Sequence, residues 1–255
     1  MSFPYRISIL SYNLWNTQRW PERQAALEQF FQLYQPDIFG LQELRAVTRA
    51  ALDAALPGYQ RVQDDFPGWE RESNLYWNDS LFQEIEHGYE DIAIHSEPYR
   101  GLFWVRLQLR DTQRSLLVST AHYTYSTHPK EVETGISPRV EQSNRTIAAL
   151  QRLARPGEPV FFMGDLNDAG MPMYLFRKAG YHSAFARLAL LPPPTWPSLP
   201  TADIPPMDEF TNQTIDWIFS NDLARPLAAL VPQFFHKTIT PSDHWPVLSL
   251  YELAA

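Results

Sequence analysis

Short apolar runs of strand length, set apart by turn residues, are what most limits the shapes open to this sequence. Residues 7–15, 37–42, 73–77, 102–109, 116–120, 159–163, 215–219, 228–234 and 245–251 read as strands. Amphipathic stretches at 21–35, 45–56, 138–153 and 173–179 read as helices, the first with Ala25, Leu27, Phe30, Phe31 and Tyr34 as its apolar stripe. The second is stopped by Pro57 and Gly58. Between residues 59 and 124 strands follow one another without helices, which predicts antiparallel neighbours. Two halves of similar make-up follow one another without a linker or an internal repeat, and a single domain over 1–255 is expected.

No run approaches the roughly 18 apolar residues that a membrane span needs, and the first residues read as a strand rather than a signal peptide. A cytoplasmic protein and a monomer are expected. The chain has no cysteine, which excludes disulfides, thiolate nucleophiles and Cys-based zinc or iron–sulfur sites. Its 21 Lys and Arg against 29 Asp and Glu give a net charge of −8, which disfavours non-specific attraction to duplex DNA but leaves a local basic cleft open. Residues 191–206 hold seven prolines in sixteen positions, a stiff connection in which Trp196 must pack back on the protein or face a ligand.

The strand runs end in polar residues that an ordinary turn does not need. Asn13 follows residues 9–12, Glu43 follows 38–42, His122 follows 118–121, and GDLND, with Asp165 and Asn167, follows 159–163. Asp216 interrupts 215–219, and Ser242, Asp243 and His244 precede 245–248. Each has a bland reading: a solvated turn, a helix N-terminal carboxylate for Glu43, a satisfied core histidine for His122, an amide-bonded carboxylate for Asp216. Brought together by packed sheets, they make one acidic, histidine-containing pocket. A lone Glu with Asp and Asn oxygens suits a hard cation, Mg²⁺ or Mn²⁺, completed by substrate phosphate. A His with a carboxylate partner, plus a second carboxylate free to act as base, suits hydrolysis of a phosphate ester.

In order, the segments SYNLWN, LQEL, TAHY, GDLND, TIDWIF and SDHWPV resemble the endonuclease/exonuclease/phosphatase superfamily over residues 7–251. The resemblance implies a four-layer α/β sandwich, two face-to-face mixed β-sheets flanked by helices. It implies Glu43 as principal metal ligand, helped by Asn13, with the Asp243 carboxylate beside the metal. Asp165 is then the residue that activates or orients the attacking water, and Asn167 holds the phosphate or that water. His244, oriented by Asp216, contacts the scissile phosphate, and His122 takes a phosphate-contacting position that apurinic nucleases fill with Tyr. Those nucleases also carry Asp where Trp15 stands here, so the motifs look closer to the tyrosyl-DNA phosphodiesterase and sphingomyelinase-like branches. Thr195-Trp196 resembles a Trp-containing loop of the phosphodiesterase branch, with Pro197 where an acidic residue is expected.

The expected activity is metal-dependent, in-line attack of water on a phosphate ester, most simply a small or organic phosphodiester. The alternatives are a nuclease on DNA or RNA, and a non-catalytic phosphate-binding module on the same scaffold. Trp196 and Arg139 are expected substrate contacts, and Arg71, Arg100, Lys130 and Arg145 further phosphate partners. A zinc site on His122 and His128 lacks a third ligand in the sequence.

Overall fold

The computed structural model describes residues 5–112, 114–198 and 212–253. Residues 199–211, which include the end of the proline-rich stretch, lie outside the described residues. The described chain runs β1 (Tyr5–Asn13), α1 (Gln24–Tyr34), β2 (Ile38–Gln42), α2 (Ala46–Ala55), β3 (Tyr59–Arg61), α3 (Gly68–Arg71) and β4 (Ser73–Asn78). It continues through β5 (Phe82–Asp91), β6 (Gly101–Leu109), β7 (Ser115–His122), α4 (Pro129–Thr134), α5 (Pro138–Leu153) and β8 (Val160–Asp165). Then come α6 (Met171–Lys178), β9 (His182–Ser183), α7 (Ala184–Arg187), β10 (Asp216–Ser220), β11 (Ala224–Leu230) and β12 (Val247–Leu253).

The strands form two six-stranded sheets, β11-β12-β1-β2-β4-β3 and β5-β6-β7-β8-β10-β9. In each, one parallel pair lies among antiparallel ones: β1 with β2 through α1, and β7 with β8 through α4 and α5. This repeated strand–helix–strand unit is the physical basis of the two similar halves. The first sheet is closed by β11 and β12 from the far end of the sequence, so it is not a contiguous half.

Apolar alternation fixes the layering. Ile7, Ile9, Ile38 and Leu75 of one sheet interlock with Val105, Val118, Phe161 and Met163 of the other in a core between them. Leu27, Phe30, Phe31 and Leu52 cover the outer face of the first sheet, against Phe39, Leu41 and Tyr76. Ala149, Leu150 and Phe176 cover the second, against Leu117, Phe162 and Phe219. The result is the four-layer sandwich. Close approach is enforced at Gly40, where an added Cβ would stand 2.7 Å from Met163 Sδ, and at Gly164, where it would stand 2.0 Å from the Ala121 carbonyl oxygen.

Several boundaries differ from the sequence reading by a few residues, and at two of them proline shows why. The strand expected at 228–234 runs over Ala224–Leu230, shifted toward Pro226. Proline is tolerated there because β11 is an edge strand with a register shift between Pro226 and Ala228. The helix expected to begin at Met173 begins at Met171, with Pro172 in its first turn, where a missing N–H costs nothing.

Candidate active site

The polar strand ends do converge, and the register shows how. Across β7, β8 and β10, His122, Asp165 and Asp216 are direct neighbours in one lateral row. Across β1, β2 and β4 the matching row is Asn13, Gln42 and Ser73, with Glu43 and Glu72 as the next residues outward. Gln42 donates to Thr120 Oγ1 at 2.8 Å, tying the two sheets together beneath these rows. The chain turns sharply at both carboxyl-bearing ends, since Glu43 (φ 54°) and Asn167 (φ 49°) are left-handed. That conformation costs a non-glycine residue about 1 kcal/mol and persists where the surroundings over-determine it.

Asp165 is the hub. Its carboxylate accepts from Asn13 Nδ2 at 2.9 Å and from the Asn167 backbone N–H at 2.9 Å. Two imidazoles flank it, His122 Nε2 at 3.5 Å and His244 Nε2 at 3.9 Å. Each imidazole is held from behind by its own acid: His244 Nδ1 donates to Asp216 at 2.8 Å, and His122 Nδ1 to Glu72 at 2.9 Å. Asp216 is in turn fixed through Thr195, whose hydroxyl oxygen accepts from the Ile215 and Asp216 backbone N–H groups. Glu43 accepts from Asn16 Nδ2 at 2.8 Å and from Asn13 Nδ2 at 3.3 Å, and lies 4.0 Å from His122 Nε2.

The charge distribution follows. Burial opposes ionisation of Glu43, but His122 and the amides of Asn16 and Asn13 outweigh it and hold the carboxyl below its ordinary value. Glu72 is likewise held low, against burial, by His122 and Arg100. Burial pushes Asp243 up to about 6, with the charge of Glu43 adding to the effect. Burial, with Asp165 adding, also raises Asp216. At His244 burial is overcome by Asp216 and Asp243, which hold the ring well above its ordinary value, so the Asp216–His244 pair keeps one proton between them.

These groups open onto a cleft of about 510 Å³ whose lining includes Glu43, His122, Asp165, Asn167, Trp196, Asp243 and His244. Asn13 and Asp216 are buried behind it as supports. The Asn13 side-chain Oδ1 accepts from the Trp15 N–H, and its Nδ2 donates to Glu43 and Asp165, so it positions both carboxylates. Arg139, expected at the substrate, is buried against Glu131 and Asp168 instead and does not line the cleft. Of the other arginines and lysines singled out, Arg100 lines the cleft, bound to Glu72 and Glu97. Lys130 and Arg145 pair with Glu133 and Glu141 at the surface, Arg71 is exposed, and His128 stacks on His95, not beside His122.

Three residues of the site escape a sequence reading. Glu72 is marked only by its place directly before a strand, and Asn16 only by being the last residue of SYNLWN. Arg23 carries no local signal. It is fully buried without an acid partner among the described residues, donates to the carbonyls of Gln18, Trp15, Asn16 and Pro241, and lies over the rings of Trp15 and Trp20. It thereby binds the Asn16 segment to the segment that leads into Ser242 and Asp243.

Among the described residues, Asp165, Asp216 and His244 bring ligand atoms within 4.8 Å of one another. The hydrogen bond between Asp216 and His244 already occupies one face of that cluster, and its shared proton opposes a cation. The better fit for a hard divalent ion is Glu43 with Asp243, two half-buried carboxylates on the cleft wall, the second with His244 Nε2 4.0 Å away.

Residues 10–244 match the model of the Endonuclease/Exonuclease/phosphatase family. Among solved structures, a Bacteroides thetaiotaomicron protein of that family superposes with a TM-score of 0.81 at 20% identity, covering 100% of both chains. A mannosyl-6-phosphatase of the same organism gives 0.79 at 21% identity, covering 98% of this chain and 100% of that one. TDP2 of D. rerio, complexed with a single strand DNA product, gives 0.77 at 18%, covering 96% and 98%. At such identities the likeness is one of fold. No curated protein matches the chain.

Proposed function

Because the chain belongs to the endonuclease/exonuclease/phosphatase family, we propose that it is a divalent-metal-dependent hydrolase of phosphate esters, acting on a small or organic phosphodiester. The observation that carries this reading is the placement of Asp165, one buried carboxylate between two carboxylate-backed imidazoles. Glu43 and Asp243 would hold Mg²⁺ or Mn²⁺, which when bound would supply charge neutralisation for the reacting phosphate ester. Asp165, fixed by Asn13 and the Asn167 N–H, orients a water for in-line attack and takes its proton. The protonated His244, locked by Asp216, donates through Nε2 to a non-bridging phosphate oxygen, and His122, locked by Glu72, faces the same position from the other side. Asn167, anchored by its amide to the Tyr123 carbonyl, completes the wall.

Substrate choice follows from what the cleft rim offers. Trp15, Tyr125 and Trp196 are its broad surfaces, while Arg100 is already paired with two glutamates. A rim rich in rings and poor in free cations grips a flat or apolar group beside a phosphate better than it tracks a duplex backbone. The fold likeness to TDP2 with its single strand DNA product supports a second reading, hydrolysis at a single-stranded end, where bases stack on the same rings.

The test is an assay panel of bis(p-nitrophenyl) phosphate, p-nitrophenyl phosphate, mannose 6-phosphate, single-stranded DNA and plasmid, with Mg²⁺, Mn²⁺ or excess chelator. We expect metal-dependent cleavage of the diester, a loss of roughly 100-fold or more in Asp165→Asn, and poor cutting of plasmid. Full activity in chelator or in Asp165→Asn removes the metal-hydrolase reading. Plasmid as the best substrate moves the protein to the nucleases.

A further inference from the structure

We propose that a second cavity, on the outer face of the second sheet at its edge strand β9, binds a phosphate monoester carried on a planar ring. The inference does not rest on the reading of the cleft. The cavity measures about 530 Å³ and shares no lining residue with the active-site cleft. This is the size of a small-molecule site, roughly 300–1,000 Å³.

Its walls divide into two kinds. Tyr174 and Met173 of α6, Tyr181 before β9, and Phe219 of β10 provide broad, soft surfaces for a ring. Arg177 in the last turn of α6, Arg187 at the end of α7 and His182 of β9 supply positive or protonatable groups. Among the described residues no carboxylate lines the cavity, in a chain of net charge −8.

The donors there are open. The Arg177 guanidinium has no ion-pair or hydrogen-bond partner among the described residues, whereas most arginines of this protein are paired. Arg187 uses only Nη1, on Asp222 and the Ala224 carbonyl, both at 3.2 Å, and Asp222 is 77% exposed, so that pair is weak. Two guanidinium groups with unspent N–H forks match phosphate oxygens in geometry and charge. The neighbouring tyrosines match the ring, and neither half of the site is explained by packing alone, since Tyr174 is 61% exposed.

Titration calorimetry with 5′-AMP in chelator-containing buffer tests this. Wild type, Arg177→Gln/Arg187→Gln, Tyr174→Ala and the cleft variant His244→Ala are compared, each checked for an unchanged melting curve. All three cavity positions are exposed and Gln keeps helix propensity, so these variants are expected to fold. We expect a Kd below about 1 mM for wild type and His244→Ala alike, and binding at least about tenfold weaker in the double arginine variant. Phenyl phosphate is expected to bind in place of 5′-AMP, and adenosine or inorganic phosphate alone only weakly. Undetectable binding by wild type, binding unaffected by the arginine changes, or binding lost in His244→Ala each overturns the proposal.

Discussion

Asp165 is held by donors from two sheets and two loops, and its neighbours act through one another rather than alone. His244 Nδ1 bonds Asp216, so in the proposed mechanism removing either partner removes the same donor at the phosphate. Asp216→Asn and His244→Ala are each expected to lower kcat by roughly 100-fold or more, and the double variant by little more than either. Additive losses in steady-state kinetics would show that the two act independently. Residues of this kind were readable from the sequence wherever a polar side chain broke an apolar run, as at Asn13, Asp165 and Asp216. Glu72, Asn16 and Arg23 were not, because what gives them a role is a partner in a distant segment: His122, Glu43, and the carbonyl of Pro241. Arg139 misled for the converse reason, its charge being answered by Glu131 and Asp168 out of sight of the sequence.

At the scale of elements, interior strands announce themselves and edge strands do not. β7 and β8 are buried on both faces and read as apolar runs, whereas β5 is half-buried or exposed along nearly all its length, takes its shape from pairing with β6, and shows no such run. β5 is instead fastened by His87, whose ring meets Glu84 at 2.6 Å and reaches Asp64, beyond the end of β3, at 3.2 Å. Burial lowers the affinity of His87 for its proton, but the two carboxylates outweigh it and raise its pKa above the ordinary value. A histidine raised on folding stabilises the native state below its unfolded pKa of about 6.5, and that contribution is lost as pH rises through the higher folded value. His87→Gln is therefore expected to cost up to about 1 kcal/mol in urea unfolding near pH 5.5, and much less near pH 9. An equal cost at both pH values would mean that His87 contributes packing against Trp69 and no charge.

Over the whole molecule, one pairing governs how the sheets are assembled. Tyr5 stands opposite Leu253 in the β1–β12 ladder, so the first and last described strands lie side by side although they are farthest apart along the chain. All of the second sheet, from β5 to β10, is inserted between the two parts of the first. Linking the ends through a short flexible segment and reopening the chain between Asp79 and Ser80, in the turn from β4 to β5, makes each sheet contiguous in sequence. This permutant is expected to fold with a melting temperature near that of the parent and to keep its hydrolytic activity, since the cut falls in an exposed turn and both sheets stay intact. An insoluble or inactive product would show that the order of connection matters to the native state itself. The natural order has a consequence in time. During synthesis β1 waits for β12, the last described strand, to pair with its free side, and the cleft waits for Asp243 and His244. Glu43 and Glu72 are made long before the chain can gather them with Asp243 and His244, so the proposed hydrolysis begins only after this last wall of the cleft has been translated.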